Sequence, residues 1–288
     1  QKSEKALNLV NFLSIQQEME LVLLDVIPPE KVPMPAYVTG AESVPELLIE
    51  TRLKQAQAYI RQILGEERSI IDRVEALVMR GPVAETITQV ARDKACDLIV
   101  MITHGYTNIE RWFHSSVTEA VMRKAKVPVL ALIDDHLPLR FLIPLDGTEF
   151  SEAGLDIALN LAALFKAEVV LGRVEADGDI LTPGDVQEIA SFDRELAERL
   201  IVEAAGQSEF YLDELARDKG EAFGLKISYD VDRGRPAERI VAMSARNECD
   251  LIAMTTHGRR GISRLLKGSV TETVFRKAGC DLFVIHAE

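Results

Sequence analysis

Cysteine is scarce, at three residues in 288. None forms a Cys-x-x-Cys pair or a zinc-ligand spacing, so neither a redox dithiol nor a metal site is expected. Cys96 and Cys249 each stand just ahead of an apolar strand pattern, where packing accounts for them. Cys280 lies in a turn-like KAGCD stretch with room for partial exposure, and no structural disulfide is indicated. Long apolar runs are missing as well. None approaches the ~20 residues of a membrane span. The first residues, QKSEKALNLV, carry neither a secretory h-region nor an Arg-rich transit pattern. The expectation is a cytoplasmic protein without membrane contact. Basic charge is the third shortage: 33 Lys and Arg stand against 46 Asp and Glu, a net charge of −13. A nucleic-acid backbone needs a basic surface, so nucleic acid is excluded as a partner. Most of the acidic excess belongs on solvated helix faces.

What is present is a large apolar complement. Hydrophobic residues make up 47% and charged residues 27% of the chain, with a mean hydropathy of +0.05. That balance fits a soluble globular protein of about two domains.

The two domains are visible as a repeat. GPVAETITQVARDKACDLIVMITHG from Gly81 matches GRPAERIVAMSARNECDLIAMTTHG from Gly234, an offset of 153 residues, with 22 identities over positions 81–133. Upstream, SEKALNLV from Ser3 aligns with SEAGLDIA from Ser151 at an offset of 148. The second copy therefore carries about five extra residues, placed around 177–185 where Gly and Pro collect. A period this long, built of a whole α/β alternation, means two domains rather than a solenoid. The boundaries expected are 1–135 and 139–288, joined near DDHLP (Asp134–Pro138).

In the second copy RFLIPL reads as a strand, Glu152–Lys166 as a helix and EVVLGRV as a strand. Val186–Lys219 reads as one long helical stretch and KISYDV as a strand. Ala237–Asn247 is helical, CDLIAMTT a buried strand, Val270–Lys277 a helix and DLFVI the last strand. Strands alternating with helices predict a parallel sheet covered on both faces. The first copy has no counterpart of RFLIPL, although that strand belongs in mid-sheet; a preceding stretch, or a strand from another chain, is expected to supply it. The final strands, PVLALI from Pro128 and DLFVIHA from Asp281, are apolar edges expected to pair with each other, which would make the halves an intramolecular pseudo-dimer. A homodimer beyond that is an open expectation.

Ligands of an open parallel sheet settle at the carboxyl ends of strands where the strand order reverses. Two loops of the second copy should meet there: Pro144-Leu145-Asp146-Gly147, and Thr255-Thr256-His257-Gly258, the latter followed by nine residues and Gly268-Ser269 at a helix start. Glycines let backbone approach a phosphate, and a helix N-terminus offers free N–H groups and partial positive charge. Ser269 adds a hydroxyl. Asp146 is an acceptor suited to an adenine or ribose edge rather than to phosphate, whose charge it would repel.

TTHGRRGISRLLKGSVTE closely resembles the nucleotide motif of universal stress proteins, Gly-x2-Gly-x9-Gly-(Ser/Thr). Gly258, Gly268 and Ser269 match its latter part, followed by Val270, while Thr255 stands where the family has its first glycine. The resemblance covers the chain twice. It implies two tandem open parallel-sheet α/β domains, Rossmann-like and similar to adenine-nucleotide alpha-hydrolases. It also implies Pro144, Asp146 and Val174 as adenine contacts, and ATP or AMP as ligand, with or without Mg²⁺, in a stress-response regulatory role. The first copy departs further: Thr103-His104-Gly105 is followed nine residues later by Ser115-Ser116, and Trp112, Phe113 and His114 replace Leu265, Leu266 and Lys267. Nucleotide is therefore expected mainly in the second domain.

His104 and His257 occupy matching places, but no Ser–His–Asp arrangement or metal-ligand cluster accompanies them, and a shared loop hydrogen bond accounts for the match. Arg259, Arg260 and Arg264 could reach phosphates or simply line a solvated loop. No GKS or GKT lysine and no general base stands at the site, so no catalytic residue is assigned and at most slow ATP hydrolysis is expected. A slow ATPase and an interaction module without nucleotide are the alternatives.

Overall fold

The computed structural model describes residues 9, 12–13, 19–29, 49–55, 58, 73–102, 116–133, 136–175, 183–257 and 270–287. In chain order the first half contributes β1 (Glu20–Ile27), β2 (Arg73–Arg80), α1 (Val83–Asp93), β3 (Ile99–Ile102), α2 (Ser116–Lys124) and β4 (Val129–Leu132). The second half begins with β5 (Arg140–Pro144), α3 (Glu149–Ala153), α4 (Leu155–Phe165), β6 (Glu168–Glu175), α5 (Pro183–Phe192) and α6 (Arg194–Phe223). It ends with β7 (Ile227–Arg233), α7 (Pro236–Arg246), β8 (Leu251–His257), α8 (Val270–Lys277) and β9 (Asp281–Ala287).

Seven strands form one sheet in the order β3-β4-β9-β8-β5-β6-β7, and β1 and β2 form a separate parallel pair. β5 lies between β6 and β8, parallel to both. Its residues explain that position. Phe141, Leu142 and Ile143 are all buried, and they alternate between two cores. Phe141 and Ile143 join the cluster that holds Leu159 and Phe165 of α4 and Leu212 of α6. Leu142 joins the one that holds Met243 of α7 and Val274 of α8. From β5 the chain winds to β6 and β7 on one side and to β8 and β9 on the other, so the order reverses beside β5.

By the repeat offsets, β1, β2, β3 and β4 correspond to β6, β7, β8 and β9. No strand among the described residues corresponds to β5 in the first half, and its four strands accordingly fall into two sheets.

The two final strands do pair, antiparallel, with Val129 opposite Val284 and Leu130 opposite Phe283. The fully buried Asp281 carboxylate accepts a hydrogen bond from the Ile133 N–H across this join, at 2.7 Å. His286 Nε2 lies 2.7 Å from the Met122 carbonyl, to which it donates. Burial lowers the His286 pKa and favours the neutral ring.

Two helical expectations need correction. The helix read as Glu152–Lys166 begins earlier, at Glu149, and is broken at Gly154 into α3 and α4. The stretch read as Val186–Lys219 is two helices, because the Asp193 side chain accepts from the Leu196 N–H and caps a new start. Among the described residues no helix is long and apolar enough to cross a membrane. Cys96, Cys249 and Cys280 are free thiols. Burial pushes Cys249 up to about 11 and Cys280 up to about 12.

Asp281→Ala strips the part-buried Ile133 N–H of its acceptor. Urea unfolding should show a loss of about 1 kcal/mol, the order of one lost hydrogen bond.

Candidate functional site

β5 ends at Pro144, which pairs with Gly172 of β6, and the Leu145 N–H donates to the Gly172 carbonyl at 2.7 Å. The chain then turns sharply. Asp146 Oδ1 accepts from the Thr148 N–H at 3.0 Å and from the Thr148 hydroxyl at 2.6 Å, closing an Asx turn. Gly147 between them has φ +77°, a left-handed conformation that glycine adopts without steric cost. Thr148 caps α3, its hydroxyl oxygen accepting from the Ser151 N–H.

This loop is docked onto the end of β8. The Thr255 hydroxyl donates to the Ser151 carbonyl at 3.3 Å. It also lies against Gly154, where an added Cβ would come within 2.2 Å of Thr255 Oγ1. The helix break at Gly154 thus serves a close approach. Thr255, found where the resembled motif has glycine, ties the start of α3 to the end of β8.

Charge at this edge is arranged asymmetrically. Burial raises the Asp146 pKa, but hydrogen bonds from Thr148 and Ser151 outweigh it and hold the carboxyl below its ordinary value. The Tyr211 hydroxyl donates to Glu152 at 2.6 Å, and burial together with that carboxylate raises its pKa. The Arg173 guanidinium carbon lies 5.7 Å from the centre of the Tyr211 ring.

Of the residues singled out in the sequence, Pro144, Asp146 and Thr255 meet at the carboxyl ends of β5 and β8. Val174 stands at the same end of β6, one strand away, half-buried. Val270 opens α8 and is partly exposed. Gly258, Gly268, Ser269 and the three loop arginines lie outside the described residues, as do His104, Gly105, Trp112, Phe113, His114 and Ser115 of the first half. His257 closes β8. Arg173, Tyr211, Ser151 and Gly154 were not anticipated. Arg173 had a signal, a charge interrupting the apolar run of EVVLGRV, and Gly154 had another, a glycine inside a helical pattern. Among the described residues no group of three His, Cys, Asp or Glu could hold a metal ion.

A largely parallel sheet covered on both faces, with the Asp146 loop docked on the end of β8 where the strand order reverses, defines a doubly wound α/β protein. The chain belongs to the universal stress protein family, whose sequence model matches it twice, at residues 1–132 and 139–286. A universal stress protein of Mycolicibacterium smegmatis is 27% identical over 278 residues, 92% of this chain and 87% of that protein. One of Methanocaldococcus jannaschii is 30% identical over 151 residues, 52% of this chain and 84% of its own length. In fold, the chain is similar to a universal stress protein of Archaeoglobus fulgidus, with a TM-score of 0.65 at 19% identity, covering 99% of this chain and 95% of that one.

Thr148→Ala removes the hydroxyl that both caps α3 and holds Asp146. NMR titration should show the Asp146 pKa rising toward the ordinary carboxylate value, with a stability loss of about 1 kcal/mol. Because the folded-state pKa of Asp146 is depressed, its contribution to stability is present above the unfolded value and is lost as pH falls through the folded one. That acid dependence should shrink in the variant.

Proposed function

We propose that this chain is a stress-response regulatory protein that binds adenine nucleotide, ATP or AMP, mainly in its second domain. The observation that carries this reading is the docking of the Asp146 loop onto the end of β8 through Thr255, at the point where the strand order reverses. Pro144, Asp146 and Val174 are proposed to receive the adenosine end. Gly258, Gly268 and Ser269, with the backbone of Val270 at the start of α8, are proposed to receive the phosphates. The free N–H groups of a helix N-terminus and the absence of side chains at the two glycines suit an anion. Mg²⁺ would accompany ATP through the phosphates rather than through a carboxylate cluster. The proposed domains span 1–135 and 139–288, act inside one chain as a pair of subunits would, and work in the cytoplasm.

Gly268→Val places a branched side chain where the phosphate is proposed to pass. Calorimetry should show nucleotide binding by the wild type, with a stoichiometry nearer one than two per chain, and none by this variant. Ser115→Gly should improve the first domain only modestly, since Trp112 still crowds its loop. Unchanged ATP affinity in Gly268→Val, or two tight equivalent sites in the wild type, would overturn the assignment.

A further inference from the structure

Arg173 is a cation without an anion. It sits near the carboxyl end of β6, half-buried, in a chain with 13 more acidic than basic residues. The arginines around it are paired: Arg140 with Glu168, Arg233 with Glu175, Arg239 with Asp232, and Arg246 with Asp230 and Asp232. Among the described residues no carboxylate lies within ion-pairing distance of Arg173, and its Nε is buried with no hydrogen-bond partner. The two acids on the adjoining loop and helix are engaged elsewhere, Asp146 with Thr148 and Glu152 with Tyr211.

The side chain nevertheless lies against two neighbours. One contact is the Tyr211 ring. The other is Gly147, where an added Cβ would come within 2.3 Å of Arg173 Nη1 and 3.3 Å of the guanidinium carbon. A side chain at 147 would displace the end of Arg173, so glycine leaves the guanidinium its place beside the turn. The Tyr211 ring face supplies no conventional acceptor, and leaving the buried Nε without one is costly. A group that folding fixes but does not satisfy suits a ligand that brings the acceptor.

Position selects which part of the ligand. β6 is separated from β8 by β5, so Arg173 lies two strand spacings, about 10 Å, from the strand that leads into the phosphate loop. It stands instead beside the Asp146 turn. An acceptor, Asp146, and a donor, Arg173, then flank Gly147, matching the mixed donors and acceptors of a purine edge or a ribose diol. We propose that Arg173 is a ligand-contacting residue for the nucleoside end of the site, donating to a ring nitrogen or ribose oxygen. This rests on the nucleotide reading above.

The test is calorimetric titration of the full chain and its Arg173→Met variant with adenosine, AMP and ATP, alongside their thermal unfolding without ligand. The variant should bind all three more weakly by a common factor, about tenfold to a hundredfold for a charge-assisted hydrogen bond. Its unfolding midpoint without ligand should equal or exceed that of the wild type, because an unsatisfied charge has been replaced by an apolar side chain of similar reach. Equal affinities in the two proteins would overturn the proposal. So would a loss confined to AMP and ATP, which would make Arg173 a phosphate contact. A lower unliganded midpoint accompanying weaker binding would also overturn it, making the residue only a buttress of the loop. Failure of the wild type to bind any of the three would fall on the nucleotide reading itself, whereas wild-type binding with an indifferent variant falls on Arg173 alone.

Discussion

Everything in the second half is arranged around the peptide groups of β5. A strand buried on both faces can satisfy its N–H and C=O groups only through neighbours on each side. β6 meets that requirement from Arg140 to Pro144 and β8 at Phe141 and Leu142. The Asp250 carboxylate completes it at the start, accepting from the Leu139 and Arg140 N–H groups at 2.8 and 2.9 Å, and the Asp250 N–H donates to the Arg140 carbonyl. With the amino end clamped and both edges paired, the carboxyl end of β5 leaves the sheet at a fixed point. The Asp146 turn, α3 and the contact with Thr255 inherit their positions from it.

The antiparallel β4–β9 pairing joins the halves and also decides how their ligand edges relate. Strands β3 and β4 run opposite to β9, β8 and β5, so the carboxyl ends of the two groups lie on opposite edges of one sheet. Side chains bind the join as firmly as backbone does. Leu130 and Leu132 share a cluster with Phe141 and Phe283, while Val121 and Met122 share one with Val284 and Phe275. The His286 ring and the buried Asp281 carboxylate each place one polar atom on a backbone group of the other half.

Much of this was legible because periodicity and repetition are local. The strands RFLIPL, EVVLGRV, CDLIAMTT and DLFVI appear within one or two residues of their expected bounds, and the apolar final strands foretold their own pairing. The loops resisted for a different reason. Nothing in GTEFSEAG announces that the helix must break at Gly154 to admit a threonine about 100 residues further on. Asp146, read from the sequence as a ligand acceptor, has one carboxylate oxygen committed to its own turn, a choice between local and ligand contacts that only geometry resolves. Arg173 is the sharpest case. Its meaning lies in the partners it lacks and in a glycine 26 residues earlier, and neither is a property of sequence spacing.

The same geometry bears on why two halves with one motif need not serve one ligand equally. The residue that docks the loops in the second half is Thr255, through its hydroxyl and its closeness to Gly154. At the offset of 153 its counterpart is Ile102, which ends β3 and packs its side chain against the apolar core. An isoleucine offers no donor, so the hydrogen bond that fastens the first-strand loop to the fourth strand has no equivalent there. The strand bearing that loop has no counterpart among the described residues of the first half either, and β3 adjoins β4 alone. The antiparallel join puts the carboxyl ends of β3 and β4 on the opposite side of the sheet from those of β8 and β9. The proposed inequality of the halves thus finds support among the described residues in the exchange of Thr255 for Ile102, beside the sequence difference between Ser115 and Gly268.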